Sequence, residues 1–527
     1  MSEVVPPLIE PASLARGVLC VAAGGADAVL ACGGALALAA RQGAHPTVLV
    51  LAGPKDYSAT VEAAVAAAFE RLGVGDVRVD ASSEPAAAVE RALAERDPSW
   101  VLAPLSVAAD PARRRAAHAV ESALAGETER RLMLYGGRVA AGRPALLDVG
   151  SVRRAKRAAL ATLGGGSPTL LARSAARDRA RALTRRGLAR AEAFALLDAP
   201  ALAQFGRELA GAAWVRHGAD ELPAATAVLS SFNKCAEVRE NLCALFAQDL
   251  PFARVVVVDN ASEDGTCEMV RAEFPEVQLI EMPHSRFGAC ETFNIGFAAS
   301  RTPLTAILDD DILMPPDWLA KATRRLVAEP ETTALLSSKV VEPGMPASHR
   351  DAPAVNEERY MSTFRGCASL AWTEALREAE FYDERLFIYG NERDLTCRLL
   401  NLGYRVLQFP GVEVFHRTPF GLKPGARSLY YHARNAWLSM LKYAPAADLL
   451  RMPYLVLSRV VLRAGRTEAS GEVSDAVGTI GTAAALRETP GAWWIVCKAA
   501  LSVLANVPYC LRRRRPVRAD DFELPLR

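Results

Sequence analysis

The stretch that most constrains this chain is VVVVDNASEDGT, residues 255–266. Four consecutive valines are too few for a buried helix and too continuous for a half-exposed strand, so they read as a strand covered on both faces. Further strand candidates lie at Thr226–Ser231, Arg254–Val258, Val277–Ile280 and Leu304–Leu308. Helical segments at 235–248, 263–273 and 290–300 separate them. That alternation predicts an α/β unit with a parallel sheet, whose functional loops sit at the C-terminal ends of the strands. An earlier region repeats the pattern, with strands at 17–22, 47–52 and 99–105 and helices at 33–42 and 59–72.

The 527 residues suggest two to four domains at ~150 residues each. The boundaries read as a first α/β domain over 1–200, a linker over 201–222, a second α/β domain over 223–440 and a mainly helical extension over 441–527. A net charge of +2 gives no footprint for nucleic acid. The ten cysteines form no CxxC pair, and the N-terminus has no basic segment leading into an apolar core. A reduced cytoplasmic protein with buried thiols is the expectation. Residues 153–195 read as helical, with RRAKR (153–157) as a solvated face.

Four motifs in the second α/β region carry chemistry. In the first, Asp259 ends the valine strand, where it either caps a helix or accepts hydrogen bonds from a ribose or base. In LTAILDDDIL, Asp309, Asp310 and Asp311 follow a buried strand. Three adjacent carboxylates repel one another unless a cation is present, and Mg2+ or Mn2+ suits oxygen ligands and a diphosphate. In YGNERDLTCRLLNLGY, Glu392 and Asp394 open a helix, either as dipole partners or with a general base among them. In VEVFHRTPF, His416 follows a short strand and offers one further ligand.

In this order, with SSFN before them and HSRFGACETFNIGF between, residues from about 224 to 440 resemble a family 2 glycosyltransferase of the GT-A fold. The later YYHARNAWLSMLKYAP resembles rhamnosyltransferase-like bacterial members. The resemblance implies that Ser231 and Asp259, with Asn260, contact the base and ribose of a nucleotide-diphosphate sugar. It places Asp309 and Asp310 at the donor, Asp311 and Asp309 on Mg2+ or Mn2+, and His416 as a further metal or diphosphate contact. Gly288 and Asn294 match donor-sugar positions. Glu392 matches the catalytic base and Asp394 the final acid that supports it, while Asn391 replaces the motif's first acid. The implied reaction is a single displacement that inverts the anomeric centre. The implied acceptor is a carbohydrate, a lipid-linked sugar or a small molecule, in cell-envelope or metabolite synthesis.

Residues from about 15 to 198 resemble, in frame, the PIG-L/LmbE-type zinc deacetylases: VLCVAAGGADAVLACGGALALAARQGAHPTVLVLAGP keeps strand, loop, Gly-Gly helix and next strand. The metal motif does not carry over. Gly24 stands where that family has a zinc histidine, Ala26 where it has the base, and only Asp27 matches a ligand. The second motif falls on 111–114 and ends at Arg114, with no ligand. Catalytic zinc needs three protein ligands, so no zinc is expected here. Two alternatives remain: a bifunctional deacetylase and glycosyltransferase, or a non-catalytic sugar-binding protein. Finally, WWIVCKAALSVLANVPYCLRRRR (493–515) reads either as an interfacial helix near anionic headgroups or as a packing helix with a solvated basic end. The first reading implies peripheral contact with the inner face of the cytoplasmic membrane.

Overall fold

The computed structural model describes residues 8–52, 59–104, 111–125, 130–135, 145–163, 190–198, 214–218, 220–330, 332–421, 425–455 and 488–517, together with 127, 171, 174, 175, 178 and 188. The chain divides into two compact units, Met1–Val215 and Arg216–Arg527. Residues 201–213 of the expected linker lie outside the described residues; Trp214–His217 (β8) and Asp220–Pro223 (β9) pair as a two-stranded sheet.

The first unit is built on strands β1 (Val18–Ala22), β2 (Thr47–Leu51), β3 (Asp76–Asp80), β4 (Trp100–Pro104), β5 (Arg131–Tyr135), β6 (Ala145–Asp148) and β7 (Ala191–Asp198). They form one sheet in the order β3-β2-β1-β4-β5-β7-β6. The first five are parallel, and β7 runs antiparallel between β5 and β6. Helices α1 (Gly25–Arg41), α2 (Ala59–Glu70), α3 (Pro85–Arg96), α4 (Pro111–Ala123) and α5 (Arg153–Leu163) complete it.

Three sequence expectations change here. The small-residue stretch after β1 is not a loop: α1 begins at Gly25 and carries Gly33 and Gly34 in its middle. A Cβ at Gly34 would lie 2.3 Å from Val149 Cγ1, so the glycine is there for close packing. AEAFALLD, read as helix, is β7, because both edge partners of its ladder are available. RRAKR is not wholly a solvated face. Its arginines flank a buried Lys156, whose ammonium lies 2.9 Å from Asp178 and 2.8 Å from Glu192.

The second unit contains β10 (Ala225–Ser231), β11 (Arg254–Asp259), β12 (Gln278–Glu281), β13 (Leu304–Asp309), β14 (Ile312–Leu313), β15 (Thr333–Val341), β16 (Arg359–Tyr360), β17 (Ala368–Trp372) and β18 (Arg405–His416). The order is β12-β11-β10-β13-β17-β15-β18-β14, with β16 against β18. The four N-terminal strands are parallel, as the alternation predicts; β17 then reverses direction, making the sheet mixed. The helices are α6 (Cys235–Phe246), α7 (Thr266–Glu273), α8 (Ala289–Ala299), α9 (Trp318–Val327), α10 (Thr373–Glu378), α11 (Asn391–Asn401), α12 (Ala426–Tyr443), α13 (Ala446–Leu455) and α14 (Ala492–Arg512), leaving aside three single-turn segments among the described residues.

Val228, Val256, Val258 and Ile307 join Phe293 and Phe297 of α8 and Leu395 and Leu399 of α11 in one core. Each such side chain contributes about 1.5–3 kcal/mol on burial, which fixes the strand ends that carry the polar residues.

Candidate functional site

The parallel register brings the expected residues to one sheet edge. Ser231 pairs with Asp259, and Ser230 with Asp309, at the C-terminal ends of β10, β11 and β13. Beyond Asp309 the chain turns through Asp310 and Asp311 into β14. Its antiparallel pairing sets Ile312 opposite His416, which closes a separation of more than a hundred residues.

Ligand atoms of Asp309, Asp311 and His416 all lie within 4.8 Å of one another, the one such His/Cys/Asp/Glu group among the described residues. His416 Nε2 is 3.1 Å from Asp311 Oδ1 and 3.6 Å from Asp309 Oδ2, and its Nδ1 is 3.0 Å from Glu342 Oε1. Burial favours the neutral ring, but the hydrogen bonds to Asp311 and Glu342 outweigh it and raise the histidine to about 9. Burial likewise opposes ionisation of Asp311, yet His416 and Lys234 hold its carboxyl well below the usual range. Asp310 goes the other way: burial dominates, and its pKa rises to about 6 despite Lys234.

Glu392 opens α11, with Oε1 accepting a hydrogen bond from Asn391 Nδ2 at 3.0 Å. Burial raises its pKa to about 7, and the charge of Asp309 adds a smaller rise. A Cβ at Gly366 would lie 2.5 Å from Glu392 Oε1; only glycine leaves the carboxylate its place.

The loop before Glu392 is bent against its preference, with φ of 68° at Phe387 and 66° at Tyr389. Such backbone costs ~1–3 kcal/mol per residue and persists only when held. Asn435 of α12 holds it: its Nδ2 lies 2.9, 2.8 and 2.8 Å from the carbonyls of Leu386, Ile388 and Tyr389. Phe387 stacks on Tyr431 and Tyr389 on His432.

The other expected residues have hydrogen-bond or packing partners within the fold. Asp394 is fully buried, paired with Lys442 and Arg398 and accepting from Tyr443 Oη at 2.9 Å, so it anchors α11 to α12. Asn294 is not a free sugar contact. Its Nδ2 donates to Tyr382 O and Glu384 Oε1 at 3.0 and 3.1 Å, and its Oδ1 accepts from Tyr382 N at 2.9 Å. Gly288 starts α8 against Phe387, where a Cβ would lie 2.4 Å from the Phe387 carbonyl oxygen. Asp259 accepts from Ser231 Oγ, Ser262 Oγ and Ser262 N, each at 2.7 Å, which shapes the turn after β11. Asn260 donates to Phe287 O at 3.1 Å, while its buried Oδ1 has no partner among the described residues.

The residues that sequence reading missed are Lys234, Glu342, Gly366 and Asn435. Lys234 left a signal: a cation just before a helix N-terminus opposes the dipole unless an anion holds it. In the first unit, Gly24 precedes α1, Ala26 and Asp27 lie in its first turn, and Asp27 pairs with Arg113 at 2.8 Å. Arg114 lies on α4, its side chain outside the described residues.

Parts of the chain are similar to known proteins. The succinoglycan biosynthesis protein ExoO of Rhizobium meliloti is 33% identical over 107 residues, 20% of this chain. The chain spans about 30% of that relative's length. A mannosyltransferase from Pyrobaculum calidifontis, solved with GDP-Man and Mn2+, is 22% identical over 55% of this chain and 84% of its own, at a TM-score of 0.35. An N,N'-diacetylchitobiose deacetylase from Pyrococcus horikoshii is 17% identical over 37% of this chain and 88% of its own, at a TM-score of 0.31. The profile described as glycosyl transferase family 2 matches residues 226–378, from β10 through α10 and so through the Asp309–Asp311 strand end. Residues 226–378 of this chain are a glycosyltransferase family 2 domain.

Proposed function

We propose that the second unit is an inverting, metal-dependent glycosyltransferase that moves a sugar from a nucleoside-diphosphate donor to an acceptor hydroxyl. One observation carries the reading most: Asp309, Asp311 and His416 are gathered closely enough to hold a divalent cation, and Glu392, raised to about 7 by burial, lies against Gly366, whose neighbour Cys367 accepts from Asp309 N at 3.4 Å. Asp309, Asp311 and His416 would hold Mn2+ or Mg2+. The two carboxylates suit either ion, and the imidazole favours Mn2+. When bound, the ion supplies positive charge against a departing diphosphate.

The chain's own residues do the rest. Glu392 accepts the proton of the acceptor hydroxyl at its carboxylate as that oxygen attacks the anomeric carbon. The donor carbon–oxygen bond breaks toward the diphosphate, and one displacement inverts the centre. Asn391 and Gly366 fix the carboxylate, and the Asn435-held loop fixes the start of α11. Ser231 and the turn after Asp259, with Asn260, would border the bound nucleoside. A deoxythymidine-diphosphate-rhamnose or UDP-sugar donor is the first choice for screening.

The first unit is proposed as an inactive deacetylase-like domain without zinc. The 201–222 segment is proposed to link it to the transferase, with 441–527 as a helical extension. Within that extension, α14 is long and apolar enough to cross a membrane, and only 17% of its most apolar window is buried. Its inner face packs on the unit through Ala499, Val503 and Cys510; Trp493, Trp494, Leu501, Leu504 and Leu511 are exposed. One packed and one bare apolar face suit a helix lying on a bilayer, at the cytoplasmic side and near a lipid-linked acceptor. The basic end is partly used within the fold, since Arg514 bonds the carbonyls of Leu441 and Ala444.

The test is a screen of nucleotide sugars with Mn2+ or Mg2+. Glu392→Gln should lower turnover by ~10²–10⁴-fold while donor affinity stays nearly constant. Undiminished transfer would remove Glu392 as the base, and absence of both turnover and metal-dependent nucleotide binding would favour a sugar-binding protein. For α14, Leu501→Asp with Leu504→Asp should abolish sedimentation with anionic vesicles; unchanged sedimentation would leave it a packing helix.

A further inference from the structure

The Asp cluster already has a cation on it. Lys234 Nζ lies 2.8 Å from Asp310 Oδ1 and 3.0 Å from Asp311 Oδ2. Both oxygens of Asp311 have partners: Oδ1 faces His416 Nε2 at 3.1 Å, and Oδ2 faces Lys234 and accepts from Thr418 Oγ1 at 3.0 Å. Each oxygen can hold a second partner, so a divalent ion can share Asp311 with a neighbour that carries no competing charge. His416 is itself one of the proposed ligands, and Thr418 brings only a neutral hydroxyl and can stay beside a metal. An ammonium cannot, because like charges at such range repel strongly in a partly desolvated site. The lysine is also the movable partner. Its side chain is 36% exposed against 6% for Asp311, it sits in the loop between β10 and α6, and its stem has four rotatable carbons.

We propose that Lys234 is the exchangeable counter-ion of this site: a divalent cation displaces it from Asp311, and the diphosphate of the donor receives it. Metal and nucleotide then bind in concert. A metal arriving alone competes with the ammonium. One arriving with a nucleoside diphosphate finds that ammonium a new anion, and the exchange costs less. The inference rests on the proposed metal site.

The experiment measures Mn2+ binding by the full chain from the free-ion EPR signal, with and without UDP or GDP. Lys234→Met should bind Mn2+ alone about tenfold more tightly, and UDP or GDP in the presence of Mn2+ about tenfold less tightly, the size expected for one charge-assisted contact. Lys234→Arg, which keeps the charge, should stay near the wild type in both, and thermal unfolding checks that each variant is folded. Unchanged or weaker Mn2+ binding by folded Lys234→Met overturns the exchange. Tighter Mn2+ binding with unchanged nucleotide affinity overturns the transfer of the lysine to the diphosphate. Absence of Mn2+ binding in wild type and variants alike overturns the metal site itself, and the exchange with it.

Discussion

The two units solve the same electrostatic problem in different ways. Each places carboxylate at or just beyond the end of a parallel strand. In the first, the lone Asp27 meets Arg113 at 2.8 Å, and one guanidinium balances one charge. In the second, Asp309, Asp310 and Asp311 share Lys234 and His416, and the site retains carboxylate that the protein's own cations share out thinly. A single acid can be neutralised for good by a side chain. A cluster leaves negative charge that a mobile cation can meet.

The units also share a buried device. Lys156 sits between Asp178 and Glu192, and Lys442 between Asp383 and Asp394. Removing one partner of such a pair leaves uncompensated buried charge, at a cost of about 3–5 kcal/mol. Lys156→Met and Lys442→Met should each lower stability by that order, read by chemical denaturation. They should part company in function. Lys442 holds Asp394, two residues past Glu392, so its loss should also lower turnover in the fraction that remains folded. Lys156 joins Glu192, which accepts from the N–H groups of Gly34 and Ala35 at 2.7 and 2.8 Å, and its loss should leave transfer per folded molecule unchanged. Equal turnover for both variants would break the contrast.

What the sequence disclosed follows the range of the interactions. The parallel strands β10, β11 and β13 were legible because a continuous apolar run has few other meanings, and the polar residues at their ends came with them. The convergence of His416 on Asp311 rests on the β14–β18 register, which no local pattern encodes. Asn294 and Asp394 look functional in the string because they are polar and well placed. Only the fold shows their hydrogen-bonding capacity spent on Tyr382, Glu384, Lys442 and Arg398. Gly366 and Asn435 act through backbone space and carbonyls, which carry no sequence signature. The helical reading of AEAFALLD failed for the converse reason: an alanine-rich run takes its conformation from the neighbouring strands β5 and β6.

A smaller effect separates the units by pH. The Glu392 carboxyl rises from 4.5 to about 7 in the folded protein, chiefly through burial. Folded protein then binds more protons than unfolded protein between these values, so its contribution to stability falls as pH rises through that window. Glu392→Gln should flatten this part of the stability profile. Turnover should run the opposite way, rising with pH and levelling above about 7 as the base ionises. A rate profile without that limb would mean that another group takes the proton.

The smallest effect concerns Asp27. Its ion pair with Arg113 is largely but not wholly buried, and Asp27→Asn should cost about 1 kcal/mol or less, with transfer unchanged. The sharper version of the test is Arg113→Met, which frees the carboxylate without removing it. If the arginine were all that kept metal out, this variant of the full chain should take up zinc. One carboxylate cannot make a three-ligand site, and Gly24 and Ala26 bring none, so elemental analysis should find no stoichiometric zinc. Zinc in Arg113→Met would show that further ligands stand near Asp27. The first unit would then differ from the second only in which cation currently holds its acid.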